Sequence, residues 1–186
     1  MTLLVIGLLI WVLAHFMRRL APEMRTRLTD RFGDRSKGLF AISILVSIAL
    51  MVVGFRSANG AVFWDRSAVT TGINNLMVLA AFYCFASAGA KTWLVRLTRH
   101  PQLIGFSLWA AAHLLVNGDT ASIVLFGGLL LWALCAMALI TAQEGVYDPP
   151  AKAPARKEVT TAIMTLVVFS GVAGIHMLLG YFPFGV

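Results

Sequence analysis

Four histidines carry the most distinctive chemistry in this 186-residue chain, and three of them, His15, His113 and His176, sit inside long apolar stretches. An ionisable group in hydrocarbon is costly and normally faces the interior of a helical bundle. Taken one at a time, such a histidine reads as an interhelical hydrogen bond. Three together, among aromatic and glycine neighbours and with almost no intramembrane carboxylate, point to haem, whose iron takes neutral imidazole and whose apolar ring suits a helical bundle. The other chemistries fit less well. There is no HxxxH and no carboxylate to complete a compact zinc site, and no serine or cysteine has a base at a usable spacing. A proton path would recruit a buried acid, whereas Asp119, Glu144 and Glu158 fall in expected loops. Cys84 and Cys135 have no CxxC partner and read as small packing residues.

The fourth histidine, His100, opens the stretch Arg99 to Asp119, RHPQLIGFSLWAAAHLLVNGD. Pro101 suits a first helical position, where its missing N–H would have no partner, and Asn117-Gly118 is a natural stop, so the pattern predicts a helix over 101–116. His113 follows Trp109 by four residues and Gly105 by eight, which puts all three on one face with a hollow beside the imidazole. That hollow suits a flat cofactor or a neighbouring helix. Gly7, Trp11, Ala14 and His15 repeat the spacing of Gly105, Trp109, Ala112 and His113.

These residues must be held by membrane-spanning helices. The chain is 59% hydrophobic and 12% charged, with mean hydropathy +0.84, far more apolar surface than a soluble core of this size would hide. The reading is an all-α, polytopic helical bundle forming one domain, 1–186, with spans at about 2–17, 38–55, 69–90, 101–116, 120–143 and 159–182. Arg18 and Arg19 follow the first span and no basic residue precedes it, the reverse of a cleavable signal, so it is a retained anchor. The five loops hold seven, two, three, none and three Lys or Arg, which puts thirteen on one face and two on the other. That imbalance places the odd loops in the cytoplasm and both termini outside. The net charge of +7 therefore records orientation and does not call for nucleic acid.

Depth discriminates among the histidines. His15 is three residues before Arg18, about 5 Å from the cytoplasmic edge at helical rise, whereas His113 is 12 residues beyond Pro101, about 18 Å up. His176 is higher again. Depth thus pairs His15 with His100 and His113 with His176.

At Arg99-His100-Pro101, Trp109, Ala112-His113, Asn117-Gly118-Asp119 and Leu125-Phe126-Gly127, the chain resembles the NnrU family of bacterial membrane proteins, a likeness that covers its whole length. That family is associated with nitrite and nitric oxide reduction in denitrifying bacteria. It is related to plant zeta-carotene isomerase, a membrane enzyme holding a b-type haem between histidines. The resemblance implies axial ligation by His15 and His113, with His176 and His100 in reserve and with Trp11, Trp109, Gly105 and Arg99 around the cofactor. It also implies redox or isomerase-like chemistry in a bacterial inner membrane, on a hydrophobic substrate or beside nitric oxide or nitrite reductase components. Arg99 to Gly105, RHPxxxG, further resembles the segment with which membrane methyltransferases hold S-adenosylmethionine, although those enzymes commonly carry an aromatic where this chain has Leu103. A non-enzymatic accessory subunit of a reductase is a third reading.

Overall fold

A computed structural model describes residues 1–185. Its helices are α1 (Thr2–Leu20), α2 (Pro22–Phe32), α3 (Arg35–Arg56), α4 (Ala68–Ala90), α5 (Trp93–Leu97), α6 (Pro101–Val116), α7 (Thr120–Glu144) and α8 (Ala155–Leu178). Five of these, α1, α3, α4, α7 and α8, are long and apolar enough to cross a membrane, and α6 is a shorter apolar helix of 16 residues. At 1.5 Å per residue α6 spans about 24 Å, slightly less than the hydrocarbon core. Its bounds are those the Pro101 and Asn117 signals predict.

The segment read as a basic loop, residues 18–37, is mostly helical. α1 runs on to Leu20, the chain leaves helical geometry at Ala21 (φ −136°, ψ 59°), and Pro22 starts α2. The proline explains both events, because it disfavours helix at the residue before it and suits the first position of the next one. α8 likewise begins at Ala155, after Pro154, and ends at Leu178, four residues earlier at each end than the pattern suggested.

The two ends of the bundle are distinct. At the basic end, Arg19 of α1 pairs with Glu144 of α7 at 2.6 Å, Arg99 lies 3.7 Å from the same carboxylate, and Glu158 accepts the Trp93 N–H at 2.6 Å. At the other end, Val62 bridges Asp119, the Trp64 indole N–H donates to Leu114 O at 3.0 Å, and Asn75 donates to Pro183 O at 2.9 Å. Six helices therefore link two faces, and all thirteen basic residues of the odd loops lie toward one of them.

Packing makes two tight hairpins, α1 with α3 and α4 with α6, joined through α7. Glycines set the closeness of each. A Cβ at Gly7 would lie 2.7 Å from Ser47 O on α3, and one at Gly105 would lie 2.8 Å from Ala81 O on α4. Close backbone approach of this kind is what drives helices together in lipid, where burying apolar surface gains little. α8 packs on α4 and scarcely touches α6. Leu4, Leu8, Met51, Ala121 and Leu129 form the buried apolar core, and long apolar side chains such as Leu13, Leu45, Leu131 and Val167 face outward, as lipid requires.

Candidate functional site

The repeated Gly-xxx-Trp-xxx-Ala-His pattern has a repeated physical role. In α1 and in α6 the glycine seats the partner helix, so the hollow beside each histidine is filled by a helix, α3 at Gly7 and α4 at Gly105. The histidine ring bonds the tryptophan carbonyl four residues back in both cases, His15 Nδ1 to Trp11 O and His113 Nδ1 to Trp109 O, each at 2.8 Å. His176 does the same with Val172 O at 2.8 Å. A carbonyl only accepts, so Nδ1 carries the proton, and the neutral ring keeps an unused lone pair on Nε2. Metal-bound histidines are oriented in this manner, one nitrogen donating to a backbone oxygen while the other ligates.

The structure separates the two histidines that the resemblance pairs. α1 runs toward the basic end and α6 away from it, so His15 lies one turn from Arg19 while His113 lies one turn from Asn117 at the far end. Between them stands an aromatic cluster. His15 meets Trp11 at 4.1 Å and Trp132 at 4.9 Å between centroids, Trp132 meets Phe106 at 5.2 Å, Phe106 meets Trp109 at 5.2 Å, and Trp109 meets His113 at 5.0 Å. Three rings intervene along the shortest ring-to-ring path. His15 and His113 are therefore not ring neighbours, and Trp11 and Trp109 pack in the cluster while Gly105 seats α4.

His113 has closer company at its own end. Phe126 covers it at 4.7 Å. α4 adds a polar group there. Its face toward α6 includes Ala81, which touches Gly105, so in this antiparallel pair Asn74, two turns from Ala81, comes level with Ala112 and His113. The Asn74 side-chain oxygen is buried and has no donor among the described residues. An unpartnered buried carbonyl is costly and marks a place where a group is expected. The helix directions put His15 and His100 toward the basic end and His113 and His176 toward the other.

Haem chemistry can be tested against these residues. The donor type suits it at His113 and His176, two anchored imidazoles with free Nε2 atoms on helices that do not pack together. At His15 and His113 the donor atoms are the same, but aromatic side chains fill the path between the two rings.

Arg99 and His100 are engaged at the basic end. Arg99 donates to Gly145 O at 2.5 Å and stands over the Tyr147 ring, and His100 Nε2 shares a hydrogen bond with Thr141 Oγ1 at 2.9 Å. Partial burial, together with the Arg99 and Arg19 charges, holds His100 below the usual histidine value against the opposing pull of Glu144. Arg99, His100 and Gly105 of RHPxxxG are thus all committed to structure. Among the described residues no three His, Cys, Asp or Glu side chains gather as a metal site.

Sequence reasoning missed Trp132 and Phe106, and met Phe126 only as part of the family resemblance. Trp132 and Phe126 lie in a helix so uniformly apolar that no period marks a face, and residues 123–127 form a π-helical turn that shifts the register between them. Asn74 was visible as an amide inside an apolar span.

No curated protein and no solved structure matches this chain. A family model described as "NnrU protein" matches residues 3–183. With nearly all of its length matched, a multi-pass helical architecture and the repeated Trp and His faces, this chain belongs to the NnrU family.

Proposed function

We propose that this NnrU family member is a haem-binding membrane protein in which His113 of α6 and His176 of α8 hold a b-type haem at the end of the bundle away from the basic loops. The observation that carries this reading is that His113 and His176, each with Nδ1–H spent on the carbonyl four residues back and Nε2 free as at His15, both lie toward the same end of the bundle, on helices that scarcely touch. The sparse contact between α6 and α8 supports it, since a flat group between them displaces no packed interface. Bound haem would supply one-electron chemistry or an open iron position for a small gas.

The chain's own contributions are positional. The Trp109 and Val172 carbonyls fix the tautomers and orient the rings, while Phe126 and Trp109 shield His113 from water. Asn74 offers a buried acceptor at the same level. By the charge asymmetry the basic loops face the cytoplasm of a bacterial cell, and the haem would lie nearer the outer surface of its inner membrane. The link to nitrite or nitric oxide metabolism follows from the family resemblance and belongs to the same proposal.

Absorption spectroscopy of the purified protein tests it. The expected result is a Soret band that shifts on reduction with dithionite and is lost in His113→Ala and in His176→Ala but kept in His15→Ala. Loss in His15→Ala with retention in His176→Ala would restore the pair implied by the resemblance, and iron-free protein from haem-supplied cells would sink both.

A further inference from the structure

The basic end of the bundle contains a cavity of about 370 Å³ between α1, α4, α6 and α7. Its walls are mainly flat or branched apolar side chains, among them Phe16, Phe85, Phe106 and Leu139. Three residues give it polarity: His15, Arg19 and Gln102. Trp11 and Trp132 also line it, and the indole N–H of each is buried without a partner among the described residues.

We infer that this cavity binds the head ring of a membrane quinone or quinol. The volume lies at the small end of the usual range for ligand pockets, about 300 to 1,000 Å³, and suits a single substituted ring whose isoprenoid tail remains in lipid. The lining supplies aromatic faces for stacking at the level where they are needed. Hydrogen bonding is matched in both directions. His15 has already spent Nδ1–H on Trp11 O, so Nε2 accepts a quinol O–H, while the Gln102 amide and the Arg19 guanidinium donate to a quinone carbonyl.

Charge narrows the choice further. Arg19 is already paired with Glu144 at 2.6 Å, and the other residues lining the cavity carry no fixed charge, which favours a neutral ligand over a carboxylate or phosphate. Depth agrees as well. His15 lies one turn inside Arg19, which puts the ring at the boundary where a quinol meets both lipid and water.

The test is titration of the purified protein in lipid nanodiscs with decylubiquinone, read by tryptophan fluorescence, since two of the five tryptophans border the cavity. Saturable quenching with one quinone per chain is expected. His15→Leu should weaken it about tenfold by removing the acceptor, and His15→Gln, which keeps one, should recover part of the loss. Ala136→Phe, which fills the cavity from α7, should abolish it. Quenching that rises linearly with quinone, as from partition into the bilayer, would overturn the proposal. So would equal affinities for wild type and His15→Leu at matched melting temperatures, and this pair decides the matter if Ala136→Phe fails to fold. The titration is repeated in haem-free His113→Ala protein, where saturable binding should persist, so failure of the haem reading and failure of the quinone reading give different results.

Discussion

At the scale of single residues, the hairpins depend on places where nothing larger than hydrogen fits. A Cβ at Gly54 would collide with the Leu4 backbone, which cannot swing aside as a side chain could, whereas one at Gly38 in the same helix would meet open space. Gly54→Ala should therefore cost about 1–3 kcal/mol by forcing α1 and α3 apart. Gly38→Ala should be neutral or slightly stabilising, because alanine is the better helix former. Thermal unfolding in detergent of both variants checks the contrast. His100 supplies a pH dependence. Its ring is held below the ordinary histidine value in the folded chain, so as pH falls through and below about 6.5 the unfolded chain takes up a proton that the native state resists. Stability should thus decline on acidification over that range, and His100→Gln, which retains a partner for Thr141, should flatten the slope in a melting series against pH.

At the scale of elements, helix α6 was legible in full, because proline and Asn-Gly act locally and identically in any fold. The five long spans were legible too, since hydrocarbon thickness imposes their length, and α6 stands beside them as a shorter apolar helix. The helical character of α2 was not. Its charges, among them Arg25, Arg27 and Arg31, read as a loop, but charged side chains are good helix formers, and the proline at its start says only where a helix begins. The site was half legible. The equivalence of the α1 and α6 faces followed from spacing, while the partner of each histidine depended on how α7 and α8 dock, which no local pattern reports. The hollow at Gly105 shows the limit well. A glycine announces a close approach without saying by what, and here the answer is the α4 backbone.

At the scale of the whole molecule, the separation of charge between the two ends makes an orientation that can be read directly. Single cysteines placed in α2 or in residues 145–154 should react with a membrane-impermeant thiol reagent only in inverted vesicles, and cysteines in residues 58–66 only in intact cells or spheroplasts. Reaction of both sets from one side would contradict the positive-inside reading. The molecule then presents different chemistry to the two compartments, a basic surface at the end with the His15 cavity and a balanced one at the end with His113 and His176, where Arg56 and Arg66 are matched by Asp65 and Asp119.

The π-helical turn at Ile123–Gly127 sits between the two ends and carries Phe126, which covers His113, while Trp132, which meets His15, follows in regular helix. Each residue of an α-helix advances the azimuth by about 100°. A π-helical turn holds one residue more than the α-helical turn it replaces, so removing Ile123, Val124 or Leu125 would let α7 revert to regular helix with Phe126 and Trp132 still on their own sides. The slack of the chain lies in that turn: a deletion within 128–131, in regular helix, would swing Trp132 by about 100° away from His15 and uncouple the two ends.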